Sequence, residues 1–204
     1  MPVLIYSLEL SYIQLFNRFM RITGEAYISS SLIKSTEEEL RTDRNLINTE
    51  RNIIICDKSS LTFEEFMSII AKQQLENPVN VVFIDYYQLL NDSTPDLLYK
   101  LKKCAEMFNI TIVAFSQLER SIDKNPLEIP TLDSFPRLND LENVDEAYYL
   151  VRPIQYKITH DNEGNNLENT AIINCLKGKF EKRKMIFHFN EESTAFEKSK
   201  VLNF

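Results

Sequence analysis

Val81-Val82-Phe83-Ile84 runs without a polar residue into Asp85, and after Thr111 the run Ile112-Val113-Ala114-Phe115 leads likewise into Ser116-Gln117. Between them lies a helical pattern of Leu97, Leu98, Leu101, Ala105 and Phe108. Strands that are apolar throughout belong to sheets covered on both faces, and a helix between two of them makes the pair parallel. Val3 to Ser7 and Asn52 to Cys56 repeat the pattern. Together these segments restrict the chain to an α/β fold, a mostly parallel sheet flanked by helices.

The helix signals fit that frame. Ser11 with Gln14 forms a capping box for a helix whose inward stripe is read as Ile13, Phe16, Phe19 and Met20. Thr36 with Glu39 suggests a short helix carrying Leu40, and Thr62 with Glu65 opens a helix through about Leu75, burying Phe63, Phe66, Met67 and Ile70. Thr94 as cap and Pro95 at the first helical position start the helix before the Gln117 strand. Residues 118 to 143, with Pro126, Pro130 and Pro136, are too long and irregular for a simple connector and are expected to be a functional or mobile loop. Glu146 to Val151 reads as a strand, Thr170 to Cys175 and Lys184 to Phe189 as a late hairpin pair, and His160 to Glu168 as a solvent loop.

A chain of 204 residues suits one filled core, so a single domain over 1–204 is expected. No apolar run approaches the roughly 18 to 20 residues that span a bilayer, and the Met1-Pro2-Val3 start has no basic leader, so a cytoplasmic setting without membrane contact is expected. Cys56, Cys104 and Cys175 lack metal-site spacing and read as reduced core thiols. A net charge of -7 is the wrong sign for a surface that attracts nucleic acid everywhere, so any DNA contact must be a local basic patch.

In parallel sheets the chemistry gathers at the carboxyl ends of the strands, where Glu9, Asp85 and Gln117 all fall. A carboxylate ending an apolar strand is the Walker B arrangement, which orients a magnesium-bound water beside a triphosphate. On residues alone, Glu9 also suits an acid favoured by a helix dipole, and Gln117 a solvated strand terminus. Lys177, Lys179, Lys182, Arg183 and Lys184 form the densest basic run, either a phosphate or DNA contact or a solvated hairpin face. Arg120 and Arg137 are weaker nucleic-acid candidates.

The ordered set of motifs resembles the RecA-like motor domain of DnaB-type replicative helicases. The resemblance rests on Ser7-Leu8-Glu9-Leu10-Ser11 with Gln14-Leu15 and Arg18; on Arg51 to Ile55 with Asp57 and Leu61-Thr62; and on Phe83-Ile84-Asp85-Tyr86-Tyr87-Gln88-Leu89-Leu90. It extends to Ala114-Phe115-Ser116-Gln117-Leu118-Glu119-Arg120-Ser121 and to Phe189-Asn190 with Thr194-Ala195-Phe196-Glu197. It implies an ATP- and Mg2+-dependent enzyme that unwinds DNA as a ring of identical subunits on single-stranded DNA. Glu9 would position or activate the attacking water, Asp85 would act on the magnesium through its waters, and Gln117 would sense the γ-phosphate. Lys177 and Lys179 stand where a basic residue reaches a neighbouring subunit's ATP, with Lys in place of the usual Arg and therefore without a bidentate fork.

One part of that family pattern is missing from the sequence. A phosphate loop needs wrapping glycines followed by Lys and Ser or Thr, whereas the glycines here are Gly24, Gly164 and Gly178, and Gly178-Lys179 runs into Phe180. In the family this loop precedes the strand that opens the chain, so a leading strand, P-loop and helix are expected to be missing and the chain alone to be inactive. The acidic Asn91-Asp92-Ser93-Thr94-Pro95-Asp96 and the Phe135-Pro136-Arg137-Leu138-Asn139 stretch also depart from the family's DNA-contacting elements, and without basic loops phosphate contacts weaken. Two functional readings follow: a truncated helicase motor whose P-loop is encoded upstream, or a non-catalytic RecA-like module acting as an inactive ring subunit or regulator. A monomeric recombination-type ATPase is a third, against which the Ser-Gln-Leu and Asp-Tyr-Tyr-Gln patterns argue. Loss of a central strand would leave an unpaired edge and an apolar groove.

Overall fold

The computed structural model describes residues 2–22, 53–58, 60–92, 96–117, 142–179, 183–190 and 195–203. They fall in two compact units, Met1–Gln117 and Leu118–Phe204. The expected helix at Thr36–Glu39, the Thr94–Pro95 helix start, and Arg120, Arg137 and nearly all of their connector lie outside the described residues.

In the first unit, β1 (Val3–Ser7), β2 (Ile53–Cys56), β3 (Val81–Asp85) and β4 (Thr111–Ala114) alternate with α1 (Tyr12–Ile22), α2 (Phe63–Glu76) and α3 (Leu97–Phe108). All pairings are parallel, in the order β2-β1-β3-β4. The register sets Tyr6 against Cys56, Ser7 against Asp85 and Ile84 against Ala114, so the carboxyl ends of β1, β3 and β4 form one edge.

Strand alternation sends Leu4, Tyr6, Val82 and Ile84 into a core with Leu61, Phe66, Ile70, Leu97, Leu101 and Cys104. Each such apolar side chain contributes about 1.5–3 kcal/mol over an exposed one, which makes this face the main anchor of the sheet. The Tyr6 ring packs on Phe66 with centroids 4.8 Å apart, and its hydroxyl donates to the Phe66 carbonyl at 3.4 Å. Burial pushes the Cys104 thiol up to about 11, which keeps it an unreactive core group.

Both described capping boxes form. Gln14 N–H donates to Ser11 Oγ at 3.4 Å while Gln14 Oε1 accepts from Ser11 N at 3.0 Å. At α2, Thr62 Oγ1 accepts from Glu65 N at 3.2 Å and Glu65 Oε2 from Thr62 N at 3.1 Å. The inward stripe of α1 needs correction, because Ile13 is 44% exposed whereas Tyr12 and Phe16 are buried and pack with Ile53 and Ile55. The aromatic pair at i and i+4 sets the helix rotation, and Ile13 is turned away by one position. Asp96 occupies the N-cap of α3, and Asn109 ends it in the left-handed conformation at φ 51°, a role that asparagine tolerates.

The second unit is an antiparallel sheet in the order β5-β6-β7-β8, formed by Ala147–Val151, Thr170–Lys177, Arg183–Asn190 and Ala195–Asn203. The expected late pair is thus the middle of a four-stranded sheet. The Arg152 guanidinium lies 5.1 Å from the Phe189 ring centre and 5.4 Å from that of Phe196, a cation–π contact at the sheet's end. Gly178, at φ +119°, closes the β6 end, where an added Cβ would meet Glu146 Cγ at 2.8 Å. Its glycine character therefore serves a crowded turn.

Candidate active site

Glu9 sits in the three-residue bend between β1 and α1, and the fold ties that bend at several points. Leu8 N donates to the Asp85 carbonyl at 2.9 Å, and Ser7 Oγ donates to the Leu10 carbonyl at 2.6 Å. Asp57, just past β2, accepts from Tyr12 N at 2.7 Å through Oδ2. That carboxylate caps α1 from beyond a neighbouring strand, binding a first-turn amide, a position for which the helix itself supplies no acceptor, and meeting the positive end of the helix dipole. In sequence Asp57 is visible as a strand-end acid, but 45 residues separate it from the amide it caps.

Asp85 ends β3 directly opposite Ser7. Its carboxyl is half-buried, and burial first, then the neighbouring Glu9 carboxylate, hold its pKa above the usual aspartate range; Arg18 pulls the other way. The opening turns of the β1–α1 segment thus place one like and one opposite charge within electrostatic reach of Asp85. The peptide from Asp85 to Tyr86 is cis.

Gln117 follows β4 and is tied to the segment after Asp85. Phe115 N donates to the Ile84 carbonyl at 2.9 Å, and Tyr87 N donates to the Phe115 carbonyl at 3.0 Å. Gln88 lies in the short 3-10 turn Tyr87–Leu89 and reaches across: its Nε2 donates to Ser116 Oγ at 2.7 Å and to the Gln117 carbonyl at 3.0 Å. Glu9, Asp85 and Gln117 therefore stand at the carboxyl ends of three strands, with β3 between β1 and β4.

Lys177 ends β6 in the second unit, where its Nζ donates to the Glu142 carbonyl at 3.3 Å, and Lys179 follows Gly178 in the turn toward β7. Arg183 and Lys184 begin β7.

A partly buried Asp beside a Glu is a site that a hard cation would relieve, and magnesium is held by one or two carboxylates while keeping most of its waters. The acid pair fits that ion. The residues do not fit a phosphate grip: Gly164 and Gly178 occupy turns of the second unit, and Gly24 carries no adjoining Gly-Lys-Ser or Gly-Lys-Thr run. Chemically the edge can order a water and stabilise a cation, and the sequence offers it no glycine-rich run of amides for a triphosphate.

Residues 1–198 match the family model of the DnaB-like helicase C terminal domain. The chain belongs to that family. Among its relatives, a probable replicative DNA helicase of Trieres chinensis is 25% identical over 189 residues, covering 85% of this chain and 41% of the relative. The replicative DNA helicase DnaB of Buchnera aphidicola subsp. Baizongia pistaciae is 30% identical over 182 residues, covering 72% and 37%. The chain thus spans less than half the length of these relatives. Among solved structures, an ATPase domain matches with a TM-score of 0.73 at 19% identity, covering 98% of this chain and 75% of that one. A DnaB-like replicative helicase studied with its primase gives 0.72 at 20%, covering 96% and 50%. The RecA-like fold expected from five short motifs is therefore the observed one.

Proposed function

We propose that this chain is the water-activating and sensing portion of an ATP-dependent replicative helicase motor, working on single-stranded DNA within a hexameric ring. Family membership supports helicase-type function, and the observation that carries the finer reading is Asp85 held half-buried beside Glu9. Such an arrangement costs folding stability, and sites that keep such costs are enriched in function. ATP and Mg2+, when bound, supply a phosphoryl group with its charge neutralised for in-line attack. Asp85 would hold such an ion through its waters, Glu9 would orient the attacking water and take up its proton, and the Gln117 amide would read the γ-phosphate position. Lys177 and Lys179 serve a neighbouring subunit's nucleotide as point charges, and Arg120 and Arg137 are candidate DNA contacts. The phosphate grip is supplied by a segment outside these residues. Among the described residues no helix is long and apolar enough to cross a membrane.

The missing phosphate loop and the Lys in place of Arg favour a second reading, a RecA-like module that no longer binds ATP and acts as an inactive ring subunit or regulator. Sequencing the DNA upstream of the Met1 codon, mapping the transcript start and titrating the natural product with a fluorescent ATP analogue and Mg2+ separates the two. An in-frame glycine-rich loop ending in Gly-Lys-Ser or Gly-Lys-Thr, with magnesium-dependent binding, supports the motor. A transcript and translation start at Met1 with no nucleotide response selects the regulator.

A further inference from the structure

We propose that Gln88 is a positioning residue whose side-chain amide clamps the Ser116–Gln117 backbone to the segment following Asp85. The inference deepens the motor reading, on which its catalytic meaning rests. Gln88 lies three residues beyond Asp85 and is the exposed residue of a 3-10 turn, yet its amide does not simply point to solvent. Nε2 donates to Ser116 Oγ at 2.7 Å and to the Gln117 carbonyl at 3.0 Å, and Oε1 accepts from Gln117 N at 3.4 Å. One side chain thereby engages both the amide and the carbonyl of Gln117, plus the hydroxyl beside it.

The ladder between β3 and β4 ends before this point. Its last register pair is Ile84 with Ala114, and two further backbone bonds follow, the Phe115 amide on the Ile84 carbonyl and the Tyr87 amide on the Phe115 carbonyl. From Ser116 onward the chain has left the sheet, so the described polar contacts that continue the pairing come from Gln88. A primary amide is suited to this, because it carries a donor and an acceptor side by side and can bond a backbone N–H and C=O together. The turn that bears Gln88 is itself fixed, by Leu89 N on the Tyr86 carbonyl at 3.1 Å and Leu90 N on the Tyr87 carbonyl at 3.0 Å. Displacement of the Asp85 end of β3 would therefore be passed to Gln117 through a short, hydrogen-bonded link rather than through the core. The clamp aligns the sensor with the ion-facing carboxylate; Gln88 itself need touch neither substrate nor ion.

The test is backbone 15N relaxation on the natural protein and on Gln88→Ala and Gln88→Leu variants, with thermal melts alongside. Leu keeps the bulk and removes every polar arm. In the parent, Ser116 and Gln117 are expected to show order parameters near those of β4. In both variants they are expected to fall toward the flexible range, below about 0.6, while Phe115 stays ordered and the melting temperature moves by no more than about 2 °C. Unchanged order at Gln117 in Gln88→Leu overturns the clamp, as does an equal loss at Phe115 with a lowered melting temperature, since either outcome assigns Gln88 to packing. Titration of the same samples with AMP-PNP and Mg2+ separates this inference from the motor reading. In a responsive protein, Gln88→Leu is expected to diminish the shift of the Gln117 side-chain amide. No nucleotide response together with Gln88-dependent order sinks the motor and leaves the clamp standing, and a full response with order indifferent to Gln88 sinks the clamp.

Discussion

Asp85 is costly to the folded state, and the direction of that cost is set by which state releases its proton first. Burial and Glu9 raise its pKa in the folded protein. At pH below the ordinary aspartate value both states are protonated and Asp85 imposes no penalty. As pH rises between the ordinary value and the raised one, the unfolded chain ionises first and stability falls; above that interval the penalty is constant. Asp85→Asn, an uncharged near-isostere, is therefore expected to stabilise the protein at pH 7 by about 0.5–1 kcal/mol, a figure discounted for the solvent that still reaches the side chain. At about pH 3 the gain is expected to vanish. Paired urea melts at the two pH values check this, and an equal gain at both would mean that the carboxylate charge is not the cause. Glu9 and Asp85 were legible as strand-end acids because strand termini can be located from apolar runs. Their mutual field was not, because it depends on the β1–β3 register and on the bend that carries Glu9 back toward Asp85.

At the scale of elements, local chemistry sets where α2 begins, and long-range chemistry reinforces where α1 begins. Thr62 and Glu65 are three residues apart and satisfy each other's amides, so their capping box could be read directly. Thr62→Ala is expected to destabilise by about 1 kcal/mol, read from the urea midpoint with an unchanged slope. α1 also has a local box, yet Asp57 caps Tyr12 from beyond β2, and no spacing rule predicts such a partner. Asp57→Ala should cost about 1 kcal/mol as well. Unlike Thr62→Ala, it should also accelerate amide exchange at Leu8, whose N–H is held by the Asp85 carbonyl, because it frees one end of the bend bearing Glu9. Equal exchange at Leu8 in the two variants would show that the bend is held without Asp57. The positions of β1 to β7 were legible to within a residue or two because most are short apolar runs with abrupt polar ends, whereas β8, Ala195–Asn203, carries Glu197, Lys198 and Lys200 and gives no such run. The rotation of α1 was misread because Tyr12, an amphipathic residue, competes with Ile13 for the buried position, and the Ile53–Ile55 surface that decides between them is remote in sequence.

At the scale of the whole molecule, the described elements cover the parallel sheet unequally. One face is filled by α2 and α3, whereas on the other α1 packs at Ile53 and Ile55 beside the β2 edge. Ile5, Val81, Phe83 and Val113 are only half-buried, and Phe115, stacked on Phe83 at 6.3 Å, is 50% exposed. Among the described residues β4 pairs with β3 alone, so its outer backbone groups offer a template for another strand. An open strand edge beside an under-covered apolar face favours association, because one added strand and helix would satisfy both at once. The 204-residue chain by itself is accordingly expected to sediment as a concentration-dependent mixture and to bind an apolar dye. Phe115→Lys, which places charge on the exposed ring position, is expected to reduce both signals without lowering the melting temperature appreciably. A monodisperse, cooperatively melting parent chain at high concentration would contradict the expectation and show that this face is already satisfied within the monomer.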